Sequence, residues 1–140
     1  MPEDHHRHDK AVSSIIIRDS DGKVFIGRRS LNCRIAPGQW ETIGGKVEKG
    51  ETSEDALGRE IFEELGVRIA EKRYYKNFDY HGWKIELFIV RLENEPQPNP
   101  DDFAQCGWYS EDEIKEMDFA MNCKERLMEF FRDQDVGAVS

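Results

Sequence analysis

Cysteine and long apolar runs are both scarce in this chain. Its 140 residues hold only three cysteines at wide spacing, Cys33, Cys106 and Cys123. That odd number indicates neither a disulfide framework nor a zinc finger, and free thiols are typical of a reducing compartment. No apolar stretch approaches the roughly 20 residues of a membrane-spanning helix, and the polar N-terminus does not match a secretory signal. We therefore expect a cytoplasmic protein without a membrane partner.

Positive charge is also scarce. The chain has 20 Lys and Arg against 29 Asp and Glu, a formal net charge of −9. Non-specific nucleic-acid binding needs a basic face, so we expect no nucleic-acid partner. The length fits one domain that can bury a core without disulfides. We predict a single domain over 11–134, between a disordered tail at 1–10 and a second tail at 135–140.

The most informative run covers residues 45–67 and reads GKVEKGETSEDALGREIFEELGV. Thr52 with Asp55 three residues later predicts the start of a helix through a capping box, and Gly66 predicts its end. An apolar stripe with a period of four, with Phe62 beside it, should face a core: Leu57, Ile61 and Leu65. The run therefore predicts a loop followed by an amphipathic helix.

Three carboxylates crowd one face of this predicted helix. Glu60, Glu63 and Glu64 fall at i, i+3 and i+4, which makes them neighbours. Residues 61–67 contain no Lys or Arg to relieve the repulsion, so either a cation binds here or the face is simply acidic and solvated. Oxygen-only ligands suit Mg²⁺ or Mn²⁺, and Mg²⁺ commonly completes its shell with water and substrate phosphates. The spacing thus favours a divalent-metal site that acts on a polyphosphate.

The whole run resembles the Nudix box, in which seven positions are fixed. The matching residues here are Gly45, Glu51, Arg59, Glu60, Glu63, Glu64 and Gly66. The chain is similar to the Nudix hydrolase family, and its layout looks most like the MutT branch. The resemblance implies an α/β fold, a Nudix α/β/α sandwich with a mixed central sheet. It also implies hydrolysis of a nucleoside diphosphate linked to another group by metal-activated water.

The resemblance also implies roles for particular residues. The implied metal ligands are Glu60, Glu63, Glu64 and the backbone carbonyl of Gly44, in a Gly44-Gly45 turn. Arg59 and Glu51 resemble a pair that orients those glutamates. The general base corresponds to Asp102, beside Asp101, although Glu60 or Glu63 are alternatives and 101–102 also reads as a polar turn.

Substrate contacts are less defined. Arg28 and Arg29 resemble phosphate contacts, or they are an ordinary strand end. Asn122 follows Asp118-Phe119 and could read a base edge, or it caps the last helix together with Glu125. The aromatic residue expected just ahead of Gly44 is missing, since Thr42-Ile43 stand there. Trp40 could stack a base instead, as could Trp83 or Tyr80, but each could equally belong to the core.

Local patterns predict the remaining elements. Apolar runs predict strands at 11–18, 24–26 and 103–109, and a hairpin joins 74–80 to 84–92 through His81-Gly82. Capping boxes at Ser110 with Glu113 and at Asn122 with Glu125 predict two helices. An apolar face on the last helix should pack on the sheet: Leu127, Phe130 and Phe131.

We therefore expect a Mg²⁺-dependent pyrophosphohydrolase, with Mn²⁺ as an alternative ion. It would cleave a nucleoside triphosphate, including an oxidised one such as 8-oxo-dGTP, to the monophosphate and pyrophosphate. Alternatives are ADP-ribose, a dinucleoside polyphosphate or a nucleotide sugar. From other classes, a relative of isopentenyl-diphosphate isomerase would use a cysteine such as Cys33, and a nucleotide sensor would lack catalysis. The partner is a small nucleotide, and the protein is a monomer or homodimer.

Overall fold

The computed structural model describes residues 9–139, with side chains through residue 134. Residues 1–8 of the predicted N-terminal tail lie outside the described residues, and the first strand already begins at Lys10. The described elements are β1 (Lys10–Arg18), β2 (Lys23–Arg29), β3 (Trp40–Glu41), β4 (Ile43–Lys46), α1 (Ser53–Leu65), β5 (Ile69–Tyr80), β6 (Trp83–Leu92), β7 (Phe103–Tyr109), α2 (Glu111–Lys115) and α3 (Cys123–Val139).

The sheet is built around β1. On one side β1 pairs in parallel with β6, and β5 continues the sheet beyond β6. On the other side β4 pairs with the first half of β1 and β2 pairs with the second half, both antiparallel. Strands β3 and β7 pair with β2. One parallel pair among antiparallel ones confirms the predicted mixed sheet.

Helices cover both faces of this sheet. Successive residues of a strand point to opposite faces, so Val12 and Ile16 of β1 pack on the α1 side while Ile15 packs on the α3 side. The predicted stripe on α1 is fully buried: Leu57, Ile61 and Leu65. The apolar residues of α3 close the second core: Leu127, Phe130 and Phe131. The two cores confirm the predicted α/β/α sandwich.

Local chemistry explains where several elements begin and end. The capping boxes predicted at Thr52 and Ser110 are both present, and Gly66 ends α1 in the left-handed conformation with φ of 66°. The predicted hairpin turn joins β5 to β6, and its two central residues, His81 and Gly82, have φ of 48° and 86°. Positive φ at both positions is typical of a type I′ turn, whose twist matches that of the strands.

The structure corrects three details of the sequence prediction. Asn122 has φ of 61° rather than the extended backbone of an N-cap, so the predicted capping box there is wrong. Gly44 and Gly45 lie in strand β4 rather than in a turn. Phe62 is 51% exposed instead of facing the core, and Arg68 stacks on its ring. The backbone of α3 extends through Val139.

None of the helices among residues 9–139 is long and apolar enough to cross a membrane.

Candidate active site

Two glycines of β4 allow close packing at the start of the candidate site. A Cβ at Gly45 would overlap the carboxylate of Glu60, and a Cβ at Gly44 would overlap the backbone carbonyl of Val12. Atoms cannot share that space, so these positions need glycine for close packing rather than for unusual backbone angles. Gly45 therefore lets the carboxylate of Glu60 lie directly against the backbone of β4, while Gly44 lets β4 pack closely on β1.

Arg59 organises the glutamates around it. Its guanidinium donates two hydrogen bonds to Glu51, of 2.7 and 3.0 Å, and one of 3.0 Å to the backbone carbonyl of Lys46. Its Nη1 contacts Glu60 at 3.0 Å and Glu63 at 3.4 Å. The bonds from Arg59 hold the pKa of Glu51 below its ordinary value. This arrangement matches the orienting pair implied by the resemblance.

The carboxyl group of Glu64 shows how crowded the site is. Burial, the hydrogen bond with Glu60 and the negative charges of Glu60, Glu41 and Asp102 raise the pKa of Glu64 to about 9. Negative charge from three parts of the chain therefore acts on Glu64: α1, β3 and the loop before β7. Without a cation these carboxylates destabilise one another, because like charges repel strongly in a partly buried site.

Glu41 is a member of this group that the sequence analysis missed. It lies on β3, where its carboxylate accepts a hydrogen bond of 2.8 Å from Nη1 of Arg29. Burial raises the pKa of Glu41, and the charge of Arg29 opposes that rise. The sequence carries no local signal for Glu41, because its strand is only two residues long and pairing with β2 sets the face on which it lies.

The carboxylate and carbonyl oxygens of this site suit a hard divalent cation such as Mg²⁺, which prefers oxygen ligands. Among residues 9–139, however, no three Asp, Glu, His or Cys side chains form a finished metal cage. Glu63 turns its carboxylate toward Nη1 of Arg59, and its side chain is 58% exposed. The residues fit a metal in chemistry, but Glu63 would have to rotate to bind it.

The two arginines predicted to contact phosphate currently hold the loop at 30–39. Nε of Arg28 donates to the carbonyl of Gly38, and Nε of Arg29 donates to the carbonyl of Ile35, each at 2.8 Å. The thiol of Cys33 in the same loop donates to the carbonyls of Ser30 and Ile35. The arginines are thus partly engaged before any substrate arrives.

Asp101 and Asp102 lie in a turn, as one interpretation of the sequence held. The backbone N–H of Asp102 donates to the carbonyl of Asn99, and that of Asp101 donates to the Asn99 side chain, each at 3.0 Å. The turn brings Asp102 close enough for its charge to act on Glu64. The polar-turn interpretation and a place in the site are therefore compatible.

The residues predicted to contact the base are spread over different environments. Trp40 is only 9% exposed and packs edge-on against Tyr109, which favours the core interpretation. Asn122 is exposed beside Cys123, whose thiol lies 3.6 Å from the hydroxyl of Thr42. Trp83 is half-buried, with Nζ of Lys46 5.6 Å from its ring centroid.

A carboxylate-rich helix packed against a glycine of a mixed sheet, with an arginine that orders its glutamates, is the arrangement to compare with known protein families. The family model for the NUDIX domain matches residues 7–130, so this chain belongs to the Nudix family. Members of this family are hydrolases that act on phosphorus-containing anhydrides, and their substrates are small nucleotides. They generally use divalent metals such as Mg²⁺.

Individual relatives support a MutT-like layout. An uncharacterised Nudix hydrolase of Nostoc sp. is 34% identical over 114 residues, which cover 76% of this chain and 67% of the relative. The 8-oxo-dGTP diphosphatase of Escherichia coli is 37% identical over 58% of this chain and 66% of its own length. A solved MutT structure, from work on Aliivibrio salmonicida and Vibrio cholerae, is 28% identical with a TM-score of 0.70, over 79% of this chain and 86% of that one.

A further relative is the NAD-capped RNA hydrolase NudC of Pseudomonas aeruginosa, which is 26% identical over 95% of this chain. This chain spans about half of that protein, 48% of its length.

Proposed function

We propose that this Nudix hydrolase is a Mg²⁺-dependent pyrophosphohydrolase that cleaves a nucleoside triphosphate to a nucleoside monophosphate and pyrophosphate. Mn²⁺ is an alternative ion. The observation that carries the proposal is the set of glutamates on α1 that Arg59 and Glu51 hold in place, with Glu60 bonded to Arg59 at 3.0 Å and Glu64 under the negative charge of Glu60, Glu41 and Asp102. A cluster of that charge is suited to an ion that itself binds a polyphosphate.

Within this proposal the chain's own residues hold and orient the reacting groups. Glu60, Glu63, Glu64 and the carbonyl of Gly44 would hold the ion. Arg59, anchored by Glu51, limits the movement of the glutamates, because bonds from such partners fix the geometry of metal ligands. A bound ion would neutralise phosphate charge and lower the pKa of water.

A general base must accept the proton of the attacking water. We propose the carboxylate of Asp102, with Glu60 and Glu63 as alternatives, since Asp102 acts on Glu64 from an exposed turn. An exposed loop can adjust to the substrate while the helix stays fixed. If an Asp102→Asn variant keeps full turnover, the general base is Glu60 or Glu63 of α1 instead.

Phosphate binding would use the arginines at the end of β2. Arg28 and Arg29 need to exchange the carbonyls of Gly38 and Ile35 for phosphate oxygens, which are stronger acceptors for a guanidinium. The ion pair with Glu41 keeps Arg29 in place during that exchange.

The test is a panel of nucleotides with Mg²⁺, with and without a chelator, and with products separated by chromatography. The panel holds canonical deoxynucleoside triphosphates, 8-oxo-dGTP, ADP-ribose, NADH and diadenosine polyphosphates. Monophosphate and pyrophosphate from a triphosphate, lost with the chelator, are expected. Turnover of none of these would contradict the proposal and favour a nucleotide sensor, or an isomerase that uses Cys33.

The similarity to NudC favours a second candidate substrate. It is a dinucleotide or another nucleoside diphosphate derivative, such as ADP-ribose or a nucleotide sugar. The same panel separates the two candidates. Release of a monophosphate from NADH or ADP-ribose, with triphosphates untouched, would establish the second candidate.

A further inference from the structure

The loop at 93–102, which joins β6 to β7, closes the C-terminal end of helix α1. The backbone N–H of Gln97 donates to the carbonyl of Leu65 at 2.7 Å, and the N–H of Asn99 donates to the carbonyl of Glu64 at 3.0 Å. The last carbonyls of a helix have no partner within the helix, so the loop supplies donors that the helix lacks. The loop is therefore attached to the helical turn that carries the glutamates of the candidate site.

Asn99 extends this attachment to Asp102. Its carbonyl accepts a hydrogen bond from the N–H of Asp102, and its side-chain Oδ1 accepts one from the N–H of Asp101, each at 3.0 Å. Asparagine at the first position and proline at the second favour such a turn, and Pro100 occupies the second. Only two backbone hydrogen bonds and Asn99 itself therefore separate the backbone of Glu64 from that of Asp102.

Other contacts fix the two ends of the loop independently of Asn99. Near its start, the carboxylate of Glu95 accepts a hydrogen bond of 3.2 Å from the indole N–H of Trp108. Directly after its end, Phe103 is buried in the core on the α1 side of the sheet. Residues 99–102 between these anchors are exposed. The position of that stretch thus depends on hydrogen bonds rather than on core packing, and those of Asn99 attach it to α1.

We propose that Asn99 is a positioning residue, which keeps the carboxylate of Asp102 within reach of the glutamates on α1. This proposal rests on the proposed function and, within it, on Asp102 as the general base. A general base must lie within hydrogen-bond reach of the proton that it accepts, and a loop places a side chain less precisely than a helix does. The bond from Asn99 to Glu64 compensates, because it ties the loop to the helix. The loop can still adjust to the substrate, but only around this attachment.

The first experiment compares Asn99→Ala with Asn94→Ala by steady-state kinetics with Mg²⁺. Asn94 is a matched control, because it is the same residue type in the same loop and is also exposed. In Asn99→Ala we expect kcat to fall by about three- to tenfold, the range that one net hydrogen bond is worth, with KM unchanged. Asn94→Ala should keep both wild-type constants. A wild-type kcat in Asn99→Ala, with or without a change in KM, would overturn the positioning role.

Asn99→Ser tests rescue of the lost bond. Its hydroxyl offers an acceptor for the N–H of Asp101 without adding charge, although serine makes this kind of turn more weakly than asparagine. The kcat of Asn99→Ser should therefore lie between those of Asn99→Ala and the wild type. If the serine and alanine variants are equally slow, the bond to Asp101 is not what the alanine variant lost, and the proposal fails.

A double-mutant cycle tests whether Asn99 acts through Asp102. Asp102→Asn removes the proposed base, so its own loss of kcat should be about 100-fold or more. Asn99→Ala added to Asp102→Asn should then lower kcat no further, because no base is left to position. Losses that multiply would show that the two residues act independently, and would overturn the proposal.

Amide exchange tests the attachment without metal or substrate. Exchange of backbone N–H groups with solvent, measured by NMR, should be faster at Asp101 and Asp102 in Asn99→Ala than in the wild type. The N–H of Gln97 is an internal control, because its bond to Leu65 does not involve the side chain of Asn99, and its exchange should not change. Unchanged exchange at both aspartates would show that the side chain does not hold the turn.

The results also separate the role of Asn99 from the function on which it rests. The cycle uses the nucleotide that the enzyme turns over fastest. Cleavage of ADP-ribose or NADH in place of triphosphates would contradict triphosphate hydrolysis, but the cycle would still decide the role of Asn99. If Asp102→Asn keeps full turnover of triphosphates, the role of Asn99 fails although the hydrolysis stands.

Discussion

At the scale of single residues, the guanidinium of Arg59 connects three carboxylates and a backbone carbonyl. Its strongest contacts go to Glu51, whereas its contact with Glu63 is long, at 3.4 Å. A long bond on an exposed side chain adds little stability. Glu63 is therefore free to rotate toward a cation while Glu51 keeps Arg59 in place. In the proposed function, Glu63 would bind the ion while Glu51 and Arg59 stabilise the cluster.

This separation predicts the effect of Glu63→Gln. Turnover should fall on the order of 100-fold or more, since even residues behind a metal ligand are worth 10- to 100-fold, while the midpoint of urea unfolding should stay unchanged. Glu54→Gln is the matched control, because Glu54 lies on the same helix and has only a 3.9 Å contact with Lys72. Near-wild-type kinetics in a folded Glu63→Gln protein would show that Glu63 is not part of the active site.

The glycines of the site give a second prediction. In Gly45→Ala, the new methyl group must displace the carboxylate of Glu60, and a misplacement of about 1 Å can lower a rate by about 100-fold. We expect kcat to fall with the fold retained. Gly58→Ala serves as the control, because no atom within 4 Å of its Cβ position opposes the change. It should keep activity and stabilise α1 by about 0.5–1 kcal/mol.

Both variants should be followed by steady-state kinetics and by urea unfolding. Equal activity of the two alanine variants would contradict the close approach of Glu60 to β4.

At the scale of elements, α1 places its acidic residues unusually. Its last turn has no basic residue, and Glu63 and Glu64 sit at the end where the helix dipole is negative. Both the dipole and the neighbouring carboxylates oppose negative charge there. The first turn compensates, because Glu54 and Asp55 lie at the favourable end and the capping box closes it. The helix is thus anchored at one end and electrostatically strained at the other.

Thr52→Ala tests that anchor. The hydroxyl of Thr52 accepts from the N–H of Asp55 at 3.0 Å, and the Asp55 side chain accepts from the N–H of Thr52 at 3.3 Å. Loss of an N-cap lowers the free energy of unfolding by about 1 kcal/mol. Thr52→Ser keeps the hydroxyl and should match the wild type. A capping role is excluded if Thr52→Ala and Thr52→Ser unfold at the same denaturant concentration.

Elements with a local signal could be predicted from the sequence, and those without one could not. α1, the hairpin and β7 follow from periodicity, caps and turn residues that lie within the element itself. β3 is only Trp40–Glu41, too short to show a period, and its face is set by pairing with β2. For that reason Glu41 was missed, and Trp40 was considered as a base contact although it is buried.

At the scale of the whole molecule, ion pairs connect the ends of β1 and β6 to the turn between β1 and β2. Arg18 pairs with Asp21 at 2.7 Å, and Arg91 pairs with Asp19 at 2.8 Å. The bond from Arg18 lowers the pKa of Asp21 to about 2, from an ordinary value of 3.8. The pKa of Asp19 is lowered by Arg91 in the same way.

These shifts predict how stability depends on pH. A carboxyl group whose pKa is lower in the folded state stabilises the fold above its unfolded pKa and loses that contribution as the pH falls through the folded value. Stability should therefore decline between about pH 4 and pH 2. Urea midpoints measured across this range should decline less steeply in Asp21→Asn. Parallel curves for the two proteins would show that Asp21 contributes nothing, and high salt should reduce the difference.

The sequence by itself determined α1, its caps and its three glutamates, because 3.6-residue periodicity and capping act over a few neighbouring residues. It also determined the hairpin and the family. Only the tertiary structure decided which distant charges act on Glu64: strand pairing places Glu41, and the loop before β7 places Asp102. It likewise decided that Arg28 and Arg29 hold a loop. Contacts between residues far apart in sequence leave no local pattern from which they could be read.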